Sequence, residues 1–206
     1  CREAEAGLQG QLMRLLAFGD SITVGAGDPD HLGWIGRALA GRREVTLYNL
    51  GVRRETSADI ARRWRAEAEP RFVEIEPMRI VFSFGVNDCN LEDGRPRVAA
   101  VETLKLAREM LTGAQALCPV LMVGPPPVVD AGLCARVEAL SDSLTALCAR
   151  LRVPLIDVFR PLAASGLWQA EAAAWDGAHP GPGGYQQMAD LVAAHPAWRS
   201  FTAIAE

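Results

Sequence analysis

Met13-Arg14-Leu15-Leu16-Ala17-Phe18-Gly19-Asp20-Ser21-Ile22-Thr23 runs from an apolar segment through a glycine to a serine. The apolar part, Met13 to Phe18, reads as a β-strand. Gly19 permits a sharp turn where that strand ends. Folds of the α/β class place their chemistry at the C-terminal ends of their strands, so Ser21 stands where a reactive side chain belongs. Far downstream, Trp175-Asp176-Gly177-Ala178-His179-Pro180 supplies an acid and a histidine as partners for it.

Outward from this stretch the chain alternates. Strand-like segments are Leu15–Phe18, Val45–Asn49, Arg79–Phe84, Val120–Val123 and Pro154–Asp157. Helix-like stretches separate them: Trp34–Ala40, Ser57–Ala68 with Ser57 as its cap, Val98–Leu117, Leu133–Leu151 and Gly184–Ala194. Strands alternating with helices imply an α/β protein with a central, mostly parallel five-stranded sheet covered on both faces, a three-layer α/β/α sandwich. No internal repeat or interdomain linker interrupts the pattern, so 13–206 reads as a single domain. Pro125-Pro126-Pro127 reads as a stiff loop after the fourth strand, and Gly124–Val129 is expected to form one rim of a cleft.

Composition narrows the function. The chain has 206 residues, half of them hydrophobic, which is enough to bury a core without metals or disulfides. A net charge of −4 and the lack of a long basic run argue against nucleic acid as a partner. Arg62-Arg63-Trp64-Arg65 reads as a solvated helix face. Five cysteines without a Cys-x-x-Cys pair argue against a disulfide framework and a zinc site, and Cys89, Cys118, Cys134 and Cys148 read as core or near-core residues. Residues 1–12 lack the apolar core of a signal peptide and no stretch is long enough to span a membrane. With Met13 directly before the first strand, 1–12 are expected to be an expression remnant or a disordered N-terminus. A cytoplasmic protein is expected; the alternative is a lipid anchor on Cys1.

The chemistry of the proposed partners is that of covalent catalysis. A serine hydroxyl attacks well only when a base takes its proton. His179 suits that task near neutral pH, and Asp176, three residues earlier, would hold the imidazole tautomer and stabilise the imidazolium. There is no Gly-x-Ser-x-Gly elbow, which argues against an ordinary α/β-hydrolase.

Four blocks in order, Gly19-Asp20-Ser21, Asn49-Leu50-Gly51, Gly85-Val86-Asn87-Asp88 and Asp176-Gly177-Ala178-His179-Pro180, resemble those of the SGNH hydrolases, the GDSL family of esterases and lipases. The resemblance covers the domain from Met13 to about the last helix and implies the flavodoxin-like SGNH hydrolase fold. It implies Ser21, Asp176 and His179 as catalytic residues. It also implies an oxyanion hole made by the backbone N–H groups of Ser21 and Gly51 and the side-chain amide of Asn87. Glycine suits such a place because backbone approaches substrate closely where no Cβ intrudes. The implied activity is hydrolysis of small or short-chain acyl esters through an acyl-enzyme, with no cofactor, no metal, and a small-molecule ester as partner; oligomeric state is open.

Each residue also has a plainer role. Ser21 would cap a helix, Gly51 would serve a turn, Asn87 and Asp88 would form one, and Asp176 would cap one. Asp20 and Asp88 read as structural, and His31 and His195 as surface or packing residues. Trp175 either walls a pocket or packs. Where many relatives carry small residues after the glycine, Val52-Arg53-Arg54-Glu55 follow here. Arg53 and Arg54 either pair with Glu55 or solvent, or contact an anionic or polar substrate group. No large lid insertion is visible, which suggests an open site. Alternatives are an acyltransferase or a carbohydrate or thioester deacylase using the same site, and a non-catalytic binding module. A nucleotide-binding flavodoxin-like domain is disfavoured by the absence of a Gly-x-Gly-x-x-Gly loop.

Overall fold

The apolar run of the first strand ends up in the middle of a sheet. The computed structural model describes residues 12–204, so the N-terminal segment 1–12, with the lipid-anchor reading of Cys1, lies outside the described residues apart from Leu12. In chain order the first half comprises β1 (Met13–Gly19), α1 (Ser21–Val24), α2 (Gly33–Ala38), β2 (Val45–Gly51), α3 (Ser57–Ala68) and β3 (Met78–Ser83). A short turn of helix, α4 (Val86–Cys89), leads into a small hairpin, β4 (Leu91–Glu92) and β5 (Arg95–Pro96). Then come α5 (Ala100–Gln115), β6 (Val120–Val123), α6 (Ala131–Leu151), β7 (Leu155–Ile156), α7 (Phe159–Ala163), α8 (Gly166–Ala174), α9 (Pro182–Ala194) and α10 (Pro196–Phe201).

The five-stranded sheet has the order β2-β1-β3-β6-β7, and each adjacent pair is parallel. The sheet expected to be mostly parallel is therefore wholly so. Alternation of side chains divides the strands between two cores. Leu16, Phe18, Ile80, Phe82 and Met122 pack with Ile60, Trp64, Leu111 and Leu144 of α3, α5 and α6. Leu15, Ala17, Val81, Leu121 and Val123 pack with Trp34, Tyr185, Met188 and Trp198 of α2, α9 and α10. Burial on both faces is why these strands read as continuous apolar runs rather than as an alternation.

Strand order turns outward in opposite directions from β1 and β3, and such a switch point is where doubly wound sheets open a crevice for ligands. Gly19 at the end of β1 pairs in register with Gly51 of β2 on one side and Ser83 of β3 on the other. The residues that follow these three positions therefore share one edge.

Several local details differ from the expectations. Thr56, not Ser57, caps α3, in a capping box with Asp59. The last strand is cut to Leu155–Ile156, because Pro154 has no N–H to donate and the Asp157 carboxylate turns to accept from the Phe159 N–H at 2.9 Å. The Arg62–Arg65 run is not wholly solvated. Arg63 lies along the protein, donating to Leu50 O at 2.8 Å, with its guanidinium 5.8 Å from the Phe18 ring centroid. Among the described residues Cys89 and Cys148 are buried and Cys118 and Cys134 partly so, all with free thiols. Among them, too, no helix is long and apolar enough to cross a membrane, and no three His, Cys, Asp or Glu side chains are grouped to share a metal ion.

Candidate active site

Ser21 is placed by the turn that ends β1. A Cβ at position 19 would stand 2.0 Å from Thr23 Oγ1 and 2.3 Å from Ser83 O, so only glycine lets the chain turn this tightly. Asp20 caps α1, its Oδ1 accepting from the Ile22 N–H at 3.0 Å. That is the turn-organising role expected of it, and it leaves Ser21, the first residue of the helix, facing the sheet edge. Ser21 is only 6% exposed.

The loop between α8 and α9 brings the histidine. Asp176 Oδ1 accepts from the backbone N–H groups of Ala178 at 3.0 Å and His179 at 2.9 Å, which folds the loop back on itself. Its Oδ2 lies 2.7 Å from His179 Nδ1, and His179 Nε2 lies 2.7 Å from Ser21 Oγ. Desolvation pushes the Asp176 carboxyl up, but the two loop N–H groups and the imidazole outweigh it and hold it below the usual carboxylate range. An ionised acid against Nδ1 fixes the ring's proton there and leaves Nε2 basic toward the serine. That is the geometry in which a hydroxyl, an imidazole and a carboxylate pass a proton.

This loop is propped from below by the Pro125-Pro126-Pro127 segment. Of the expected rim, Gly124 to Val128 are buried and only Val129 is exposed, and the segment lines no part of the cavity at Ser21. Three prolines have no N–H groups to satisfy, which makes an irregular segment tolerable inside. Pro127 O accepts from the buried Trp168 indole at 3.0 Å, and the Val129 N–H donates to Gly177 O at 2.8 Å. The segment thus ties strand β6 to the Asp176–His179 loop.

Asn87 arrives from the end of β3, through Gly85. Its Nδ2 donates to Glu55 O at 3.0 Å and approaches Asp20 Oδ2 at 3.5 Å. Asp88 is the anchor beneath it: its carboxylate accepts from the Ser57 N–H at 3.0 Å, from the Ser57 hydroxyl and from the Thr103 hydroxyl at 2.8 Å. Burial pushes this carboxyl up despite those donors. The structural reading of Asp88 fits.

Ser21, Asn87, Asp176 and His179 line one cavity of about 450 Å³. Gly51 does not. Its N–H donates to Asn49 Oδ1 at 3.1 Å, within its own turn, while Asn49 Nδ2 holds Thr23 O at 2.9 Å. A Cβ at position 51 would meet Val24 N at 2.5 Å and Asp20 O at 2.9 Å. The glycine is there for the close approach of α1 to β2, which corrects the expectation of an oxyanion donor at Gly51. The same loop meets the cavity later, at Arg53 and Arg54. Arg54 holds φ +68, an uncommon conformation for a residue with a side chain, and its N–H has no hydrogen-bond partner among the described residues.

Two further features of the cavity were invisible to pattern reading. The β4–β5 hairpin adds a small flap through Leu91 and Glu92, with Arg97 just beyond it. Arg97 pairs with Glu92 at 3.0 Å and donates to Arg54 O at 2.8 Å, tying flap to loop. Trp175 is 53% exposed; its ring packs 5.4 Å from the His179 ring, and it walls not the cavity at Ser21 but an adjoining one that His31 also lines. His195 lies elsewhere, capping α10 by accepting from the Ala197 N–H.

The GDSL-like Lipase/Acylhydrolase family matches residues 17–187. No curated protein sequence matches the chain. Among solved structures, a lipase/acylhydrolase from Enterococcus faecalis is 22% identical with a TM-score of 0.72, covering 88% of this chain and 94% of its own. A member of the lipolytic protein G-D-S-L family from Veillonella parvula is likewise 22% identical, at TM-score 0.69 over 87% and 96% of the two chains. The acetylxylan esterase Axe2 from Geobacillus stearothermophilus is 16% identical, at TM-score 0.70 over 86% and 91%. At these identities the likeness is one of fold: the same three-layer sandwich with a parallel five-stranded sheet.

Proposed function

The chain belongs to the GDSL-like lipase/acylhydrolase family and is a hydrolase of ester bonds, and from that premise we propose that it is a serine esterase of small or short-chain acyl esters with Ser21 as nucleophile. One observation carries the reading: the unbroken chain from Ser21 Oγ through the His179 ring to the Asp176 carboxylate, with 2.7 Å at each link. His179 Nε2 takes the serine proton as Oγ bonds to the ester carbonyl carbon, and the ring, now charged, is stabilised by Asp176. The carbonyl oxygen becomes an oxyanion. The Ser21 N–H and the second hydrogen on Asn87 Nδ2 receive it, and the unpaired N–H of Arg54 takes the place Gly51 was expected to fill. Backbone held in a sparsely populated conformation beside a reactive group is where proteins tend to keep strain, which supports the Arg54 assignment.

Collapse of the intermediate breaks the bond to the alcohol, which leaves with the proton from His179. Water, deprotonated by the same nitrogen, then attacks the acyl-serine, and the acid is released as the proton returns to Ser21. Beyond the ester and one water, these steps use only groups of the chain. A cavity of about 450 Å³ that is open on one side supports small acyl groups rather than long chains.

The test is a series of chromogenic esters of graded acyl length, hydrolysed by the wild type and by Ser21→Ala. Activity highest at acetate to butyrate, and lost in the variant, is expected. Hydrolysis retained by Ser21→Ala would overturn the mechanism.

A further inference from the structure

Arg53 stands where two cavities meet. The first holds Ser21, Asn87 and His179; the second, about 580 Å³, is bounded by residues 24–29, His31 and the exposed face of Trp175, and Arg53 lines both. The sequence left three fates for this arginine and its neighbour: facing solvent, pairing with Glu55 or a nearby acid, or contacting substrate. Glu55 is taken: its carboxylate lies 2.6 Å from the Arg63 guanidinium. Neither Arg53 nor Arg54 has an ion-pair partner among the described residues.

The other charged side chains of the two cavities are already engaged. Glu92 is paired with Arg97 at 3.0 Å and Asp28 of the second cavity with Arg37 at 2.7 Å, while Asp176 is hydrogen-bonded to the His179 ring at 2.7 Å and keeps its negative charge. Two exposed guanidinium groups without an ion-pair partner among the described residues therefore line the cavity of Ser21, in a chain whose net charge is −4. With Arg97 offset by Glu92 and Asp176 ionised, the first cavity keeps one net positive charge where the molecule as a whole is negative, which favours an anionic ligand there. A guanidinium offers a planar fork of donors that fits carboxylate and phosphate oxygens.

We propose that the enzyme acts on esters that carry an anionic group, a carboxylate or a phosphate, with Arg53 holding that group where the two cavities join. The assignment rests on the esterase reading given above. The scissile carbonyl sits at Ser21 while the charged end reaches toward Arg53, where the Trp175 ring walls the second cavity.

The experiment compares matched esters at low salt. Three phenyl acetates carry a carboxylate, a phosphate or a neutral carboxamide on the ring; phenyl hemisuccinate is set beside its methyl ester. The wild type is expected to favour at least one anionic ester over its neutral match by roughly tenfold in kcat/KM, as a charge-assisted pair gives. The ring series separates carboxylate from phosphate, and the succinate pair shows whether the charge lies on the acyl side. Arg53→Ala brings the ratio close to one, Arg53→Lys leaves it intermediate, and Arg108→Ala, an exposed arginine on α5, leaves it as in the wild type. Added salt lowers the wild-type ratio. Hydrolysis of neutral and anionic esters at equal rates, or a ratio untouched by Arg53→Ala, overturns this proposal alone. Failure to hydrolyse any of the esters overturns the esterase reading with it.

Discussion

Replacing Asp176 with asparagine separates the two tasks of its carboxylate. Oδ1 holds the loop through the N–H groups of Ala178 and His179, and Oδ2 meets the imidazole at 2.7 Å. In Asp176→Asn the one remaining carbonyl oxygen can keep the loop, which turns the amide nitrogen toward His179 Nδ1. A donor then faces a donor, and the ring relieves this by moving its proton to Nε2. That nitrogen can no longer take the proton of Ser21, and the imidazolium formed in the transition state loses its counter-charge as well. In serine sites of this geometry the wrong tautomer costs about 10⁴ in kcat, or ~5.5 kcal/mol. The fold loses little, since the Asp176 side chain is 37% exposed and the loop keeps an acceptor. A stability change below about 1 kcal/mol is expected. Steady-state kinetics on an acetate ester, run beside a thermal melt, give both quantities. Asp176→Ala is the companion: it leaves Nδ1 free to keep the productive proton, so it should be the more active of the two variants. An Asp176→Asn enzyme within tenfold of the wild type, melting normally, would refute the orienting role.

Asn87→Ala removes a side-chain donor from the oxyanion and should lower kcat by about 10²–10³ with little change in KM; a loss under tenfold would take Asn87 out of that role. Asp20 predicts a pH dependence of stability. Burial, with the neighbouring Asp88 charge adding to it, pushes the Asp20 carboxyl up to about 7, whereas the unfolded chain gives up that proton near pH 4. Between those values the folded protein binds the extra proton, so this group's contribution to stability is fully present below about pH 4 and is lost as pH rises to about 7. The span amounts to at most about 4 kcal/mol. Asp20→Asn keeps an acceptor for the Ile22 N–H and cannot ionise, so urea unfolding should show the variant gaining on the wild type across that window. Parallel profiles for the two proteins would refute it.

The sheet was legible because both of its faces are covered. Leu15 to Phe18, Arg79 to Phe84 and Val120 to Val123 are near-continuous apolar runs for that reason, and the turns after them carry Ser21 and Asn87 within a few residues. The Asp176–His179 loop was equally readable, since acid and base lie three residues apart. Position 51 was misread because a glycine after a strand has the same appearance whether it frees an N–H for substrate or clears space for a neighbour. Here Val24 and Asp20 fill the space its missing Cβ leaves, and Asn49 takes the N–H. The residue of this loop that lines the cavity at positive φ is an arginine, φ +68, where glycine would have been the only local sign.

Such a conformation costs about 1–2 kcal/mol in a residue with a Cβ, so something must hold it. Arg97 does so on one side, through Arg54 O at 2.8 Å, and Arg63 on the other, through Glu55 at 2.6 Å. By occupying Glu55, Arg63 also strips Arg53 and Arg54 of their nearest acid. One clamp comes from α3, directly after the loop, and the other from the segment after β5, 43 residues from the carbonyl it holds. Local pattern therefore exposed the proposed nucleophile and base, while the shape and charge of the cavity around them depend on contacts of Arg63 and Arg97 with a strained loop. Substrate choice, on this reasoning, lies in the part of the site that only folding assembles.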